Sequence, residues 1–416
     1  MKHSFQLLFV LGATMSAHAA KLDEPTHVEG APIKFDIGGA DGHLKTIAMD
    51  NKGNLLVGVS YLSAKPGAVK AEAPKVGLIE RLRTATRAND AKAWDKALNE
   101  ASMEEIQAAM MTADRDTRTG LMEALPEDKR ELVRQGMKKG GGSVRADTNA
   151  RGGLNPALSP PENSPEFALK VLSQDGKVLA TWPMLDGLEP KMIHGCDDGL
   201  VYVAGGGKLA AFNAEGKLLN TIDTDAVCGK QAVAAGIYVT QTHVFLALGF
   251  GNSTRATEDV YRFKRDLTEP KMIIERLYGC CSHIDIEVTA KEIIIGENSR
   301  HRVNRYDLDG KQIGTWGQRD RVNLEGFTAC CNPCNTDIGP DGVYYAAESG
   351  VGRVKKYTAD GKFLGLVGYV DTTKFDGGSA LAAQSCYIPI EVNADASRIF
   401  VMDVRTHFIR VLEKKS

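Results

Sequence analysis

Cysteine is missing from the first 195 residues of this 416-residue chain, and then appears eight times. No apolar run is long enough to cross a bilayer. The stretch from Phe5 to Met15 falls short of the ~20 residues a spanning helix needs, and nothing later reaches that length. No twin arginine precedes the Phe5 run, which argues for export as an unfolded chain. Charge of one sign is lacking as well. The formal net charge is −2, so no bulk attraction to nucleic acid or an anionic membrane is expected. A Gly-rich phosphate loop between strand and helix, a Ser-centred nucleophile elbow and a C-x-x-C-H haem site are all absent.

The N-terminus has the layout of a secretory signal over residues 1–19. It has a basic start at Lys2, the short apolar run, and the small-residue site Ala17-His18-Ala19. Cleavage near Ala19 and a periplasmic or secreted location are expected. No cysteine stands just after the cleavage site, so no lipid anchor is expected. In an oxidising compartment an even number of cysteines makes disulfides the default reading.

Four stretches repeat: "VLSQDGKVLATW" (171–182), "AFNAEGKLLNTI" (211–222), "RYDLDGKQIGTW" (305–316) and "KYTADGKFLGLV" (356–367). Each reads as two short strands joined at an Asp/Glu-Gly turn, where Gly accepts a positive φ. Gly176 to Gly216 is 40 residues and Gly310 to Gly361 is 51, while the 94 between Gly216 and Gly310 leave room for one divergent unit. A period of this size with about four strands per unit predicts an all-β, six-bladed β-propeller. "PIKFDIGG" (32–39) is expected to supply the missing fourth strand of the last blade and so close the ring.

"ENSRHRVNRYDLDGKQIGTWG" (297–317) and "ESGVGRVKKYTADGKFLGLVG" (348–368) resemble NHL repeats. The resemblance covers roughly residues 30–60 and 168–416 and implies the propeller fold. Propellers of this type include peptidyl-hydroxyglycine lyases, strictosidine-synthase-like and lactonase-like enzymes and many binding scaffolds. No metal-ligand pattern of those enzymes is matched.

The repeat is interrupted. Residues 27–60 supply the closing strand and half of blade one, 61–166 form an insertion, and 167–416 carry the remainder. Within the insertion, residues 75–139 read as helices. Leu78, Ile79 and Leu82 keep helical spacing, as do Trp94 and Leu98; Ser102 to Glu105 is a capping-box match, and Pro126 opens a further helix. A Gly/Pro/Ser-rich tether follows over 138–167. An excursion between the second and third strands leaves from the face that also carries the connections between blades. A helical ornament and a lid or docking module are both open readings there.

Counting back 17 residues from Glu297, Glu348 and Asp403 reaches Cys280, Cys331 and Cys386. Three blades thus place Cys at one equivalent position, entering the innermost strand at the channel mouth. Cys281, His283, Cys330 and Cys334 are neighbours, Cys228 opens blade three, and Cys196 falls later in blade two, all assigned to the same face. Three readings compete: disulfides, a thiol-redox pair, or a zinc or copper site drawn from Cys280, Cys281, His283, Cys331, Cys334 and Cys386. Glu297, His301, Arg302, Glu348, Arg353, Asp403 and His407 could bind a polar ligand on that face, although NHL repeats carry such residues for turn hydrogen bonds. His194 and His243 stand alone and read as structural, and Trp182 and Trp316 as core. Two function classes follow. One is a monomeric scaffold binding a small molecule or protein at a Cys-rich channel face; the other is a metal-dependent or thiol-redox enzyme at the same mouth.

Overall fold

A computed structural model of the chain describes residues 22–38, 42–62, 165–229, 231–250, 257–279, 283–328, 331–333, 335–340, 342–348, 352–370, 388–403 and 407–416, and, in the insertion, 78, 91–102, 105–106, 122, 125–127, 129–130 and 133. The chain divides into two compact units, residues 1–63 with 162–416, and residues 64–161. No helix among the described residues is long and apolar enough to cross a membrane.

The first unit is a six-bladed propeller of four-stranded antiparallel sheets. Blade one runs outward from His43–Met49 through Leu55–Leu62 and Pro165–Leu172 to Val178–Pro183. The innermost strands of the next five blades are Met192–Gly195, Val233–Val239, Asp285–Val288, Asn335–Ile338 and Ile390–Val392. The last blade is completed from the other end of the chain, where His27, Val28 and Glu29 pair with Lys414, Glu413 and Leu412. The closing strand is therefore His27–Glu29 and not 32–39. In the latter segment Ile33 makes an isolated bridge to Ile409 and tucks into the core. Arg410 holds the closure, with Nε and Nη2 each 3.1 Å from Asp403 Oδ2 and Nη1 2.9 Å from Glu29 Oε1.

The repeated hairpins are the third and fourth strands of four blades, and their glycines serve two purposes. Gly216 and Gly361 have φ of 79° and 93°, a left-handed region open to glycine. A Cβ on either would also lie 2.3 Å from Trp182 or Trp316 of the preceding blade. Each turn is thus the floor on which a neighbour's indole rests. In blade three the same turn is built by Leu267 at φ 66°, which is why that unit carries no visible repeat.

Because each sheet presents two faces to its neighbours, the core is a ring of layers between blades. One cluster, between blades six and one, gathers Leu44, Val57 and Leu172 against Phe400, Met402 and Val411. Another, between four and five, packs Ile294 and Val303 against Phe327, Tyr344 and Tyr357.

In the second unit the helix Ala91–Glu100 buries Ala97 and Leu98 with Leu78, Ala101, Ile106, Leu125 and Val133. The capping box is formed: Glu105 N donates to Ser102 Oγ at 3.1 Å and Ser102 N to Glu105 Oε2 at 2.9 Å. Lys129 Nζ donates to the carbonyls of Leu98, Asn99 and Ala101, answering the unpaired end of the helix.

Replacing Arg410 by Leu leaves the buried Asp403 without its guanidinium and loosens the closing strand from its blade. The expected cost is about 3–5 kcal/mol, read as a lower urea midpoint together with faster proteolysis near residue 30.

Candidate functional site

Glu297, Glu348 and Asp403 each end the second strand of a blade and are buried. Glu297 Oε1 accepts from Tyr278 N at 2.9 Å, and its Oε2 accepts from Arg302 Nε and from Asn304 Nδ2. Glu348 Oε1 accepts from Thr328 N at 2.9 Å, while Oε2 meets Arg353 Nε and, at 3.2 Å, the fully buried Lys355 Nζ. Lys355 also donates to the Leu324 and Gly326 carbonyls, and burial pulls its ammonium down to about 8. In blades four and five these acids and arginines bolt the entering loop to the end of the second strand, and their oxygens are occupied. His301 and His407 sit four residues after their acids at φ 57° and 55°, and Gly352 holds the same place in blade five at 59°. A left-handed turn position tolerates His better than most side chains. His407 Nε2 lies 3.1 Å from His43 Nδ1, and burial and His43 lower its imidazole.

Of the six residues considered for a metal, His283 and Cys331 are described; Cys280, Cys281, Cys334 and Cys386 lie outside the described residues, as does Cys330. Cys331 is a buried thiol at φ 66°. Disulfides were expected, but among the described residues none is formed: Cys196, Cys228 and Cys331 are thiols. Cys228 Sγ donates to Thr224 O at 2.9 Å at the end of a short helix leading into blade three. Cys196 does not share its face. It starts the turn between the first and second strands of blade two, accepting from Gly199 N and donating its N–H to Leu200 O, so it belongs to the opposite end of the propeller. Burial pushes its thiol up to about 12, which removes it as a nucleophile. Among the described residues, no three His, Cys, Asp or Glu side chains stand together as a ready metal cluster.

What the innermost strands do assemble is an axial cavity of about 100 Å³ reached by all six blades. Its polar lining comes from alternate residues of these strands: His194 and Tyr238 on one side, and Asp285, Glu287, Asp337 and Glu391 from blades four, five and six on the other. The aspartates stitch neighbouring strands that share no ladder. Asp285 Oδ2 accepts from Thr336 N at 2.7 Å and Asn335 Nδ2 at 3.2 Å, Asn335 Oδ1 from Ile388 N at 2.8 Å, and Asp337 Oδ2 from Val392 N at 2.6 Å. Among the described residues no hydrogen-bond donor reaches either glutamate, and Glu287 is only 6 % exposed. Burial raises all four carboxyls, and repulsion from neighbouring carboxyls adds to it for Asp337, at about 7, and for Glu287 and Glu391, well above the ordinary value. His194 packs on Tyr238 with ring centroids 4.5 Å apart, and burial lowers it to about 4, so it is neutral. No cysteine is among the residues lining this cavity.

None of the four acids was singled out from the sequence. The signal is there in "IDIEV" (284–288) and "IPIEV" (388–392), where acids alternate with apolar residues on strands buried on both sides.

The fold and this site define a six-bladed propeller with an acidic axial channel. No family model matches the chain and no curated protein matches it. Among solved structures it is similar to a protein of unknown function from Bacteroides caccae, with TM-score 0.39 and 9 % identity over 57 % of this chain and 78 % of that one. It is similar to a calcium-binding protein, regucalcin, from Agrobacterium tumefaciens strain C58, with TM-score 0.40 and 14 % identity over 60 % and 85 %. A third is the glutaminyl cyclase of Myxococcus xanthus, with TM-score 0.36 and 15 % identity over 58 % and 97 %. With TM-scores below 0.5 these likenesses carry no weight, and the propeller stands on the six four-stranded sheets themselves.

The raised carboxyls set a direction for stability. Folded carboxyls that hold protons above the ordinary range of ~4 contribute fully below that range. The contribution is lost as pH rises through the folded values, about 7 for Asp337. Glu287→Gln should therefore flatten the fall between pH 4.5 and 8 relative to wild type. At pH 8 it should be more stable by roughly 1–3 kcal/mol, read from urea midpoints at each pH.

Proposed function

We propose that the protein is an exported binding protein that takes a small electropositive ligand on the propeller axis. Export rests on the signal-like residues 1–19. The observation that carries the ligand reading is the pair Glu287 and Glu391, which line a shared cavity where no donor among the described residues answers them. Glu348, buried for stability, is paired with Arg353 and Lys355, whereas buried Glu287 and half-buried Glu391 open onto the channel. Two left unanswered beside two more acids form a site complementary to positive charge. The channel face, rather than a ring of thiols, supplies the recognition chemistry.

Native mass spectrometry on protein taken from its own exported compartment, without chelator or reductant, tests this. A stoichiometric adduct is expected on wild type and should vanish from Glu391→Lys, whose new ammonium occupies the site and whose melting temperature should equal or exceed that of unliganded wild type. Unliganded wild type that also shows no melting shift with metal chlorides or small amines overturns the reading.

A further inference from the structure

His43 and His407 stand 364 residues apart in the chain and touch. His43 opens the innermost strand of blade one, and His407 immediately precedes Phe408–Lys414, the third strand of blade six. Their contact therefore ties the first blade to the last, in addition to the His27–Glu29 ladder and the pairing of Arg410 with Glu29. The rings meet edge to face with centroids 4.8 Å apart, and His407 Nε2 lies 3.1 Å from His43 Nδ1.

The hydrogen bonds fix where the protons are. Leu44 N donates to His407 Nδ1 at 3.3 Å, so that nitrogen carries no proton. The neutral ring then bears its proton on Nε2, which donates to His43 Nδ1. The circuit leaves blade one at the Leu44 amide and returns to it at His43. A proton placed on His43 Nδ1 faces the His407 N–H, and one placed on His407 Nδ1 faces the Leu44 N–H. Either sets donor against donor, and the second adds repulsion between like charges.

Among the described residues, the charged group facing His407 from its own blade is Asp403, whose carboxylate is held by Arg410 and, through it, beside Glu29. From blade one the titratable group is His43. Lys34, just past the closing strand, lies over the Phe408 ring. Burial first, then His43, lowers the His407 imidazole, and Asp403 offsets only part of this. A histidine held below its ordinary 6.5 contributes fully above that value, and the contribution is lost as pH falls below it. The axial carboxyls change stability in the opposite sense, so loosening of this contact in acid is separable from global unfolding.

We propose that His43 and His407 form a proton-operated latch on ring closure, which holds blade one to blade six while both rings are neutral and lets them part when protonated. It is independent of any axial ligand, since neither histidine lines the cavity.

The test is NMR on the full mature chain labelled with nitrogen-15 at histidine and leucine. At pH 7.5 His407 should show the Nε2–H tautomer; the Nδ1–H tautomer overturns the latch. Protection of the Leu44 amide from hydrogen exchange, corrected for the intrinsic rate, should fall at least about tenfold between pH 7.5 and 5. The Leu246 amide, in the second strand of blade three, should stay protected. His407→Asn keeps a side chain suited to the φ of 55° and does not titrate, so its Leu44 protection should be level over that range. His43→Gln, at an exposed position, removes the neighbouring charge and should raise the His407 midpoint towards its ordinary value. Level protection in wild type, a fall that persists in His407→Asn, or a His407 midpoint unmoved by His43→Gln overturns the proposal. A persisting fall would trace instead to another group, such as the buried His27 of the closing strand.

Discussion

Three residues near the start of the chain, His27–Glu29, complete the last blade, and the axial site depends on that closure. A propeller sheet alone has two open faces and two edges. Packed against neighbours it loses both faces, but only a closed ring leaves no blade with a bare flank. Closure brings six innermost strands around one axis, and those strands share no backbone ladder. Apart from the backbone bond from Ile284 N to Ala235 O at 3.1 Å, side chains do much of the joining. In blades four to six it comes from Asp285, Asn335 and Asp337, each accepting a backbone N–H from the following blade.

The acids of this protein fall into two populations with opposite physics. Glu297 and Glu348 are buried but satisfied by arginine and loop N–H groups, and Asp403 is gripped by Arg410. They fasten strand to loop. The axial acids crowd one another, and their burial is offset only in part by backbone donors. Leaving charge demand unanswered in a low-dielectric cavity costs stability, and it is the ordinary signature of a place that waits for something else. The proposed binding role therefore rests on the axis, where no motif was visible in the sequence.

Much of the fold was legible because the repeat is physical. The hairpins mark where a turn needs positive φ, so Gly176, Gly216, Gly310 and Gly361 recur, and at Gly216 and Gly361 a tryptophan from the preceding blade also needs the room. Blade three escaped the repeat because Leu267 adopts the same φ without the glycine. The closing strand was placed a few residues late because Ile33 and its neighbours have a strand-like pattern, yet Ile33 makes only a single bridge. The shared Cys position at 280, 331 and 386 suggested a thiol ring; of its members only Cys331 is described, as a buried thiol. His301 and His407, weighed as polar-ligand residues, both stand at left-handed turn positions.

The sequence by itself determined the propeller, the place of the insertion and the capping box that starts one of its helices, since turn chemistry, strand period and end-capping act over a few residues. Tertiary structure alone decided the site. Asp285, Asp337 and Glu391 are more than a hundred residues apart from first to last, and each looks like an ordinary acid in a short strand. Only closing the ring sets them beside Glu287 around one cavity, because convergence on an axis is a property of six blades together and of no segment alone.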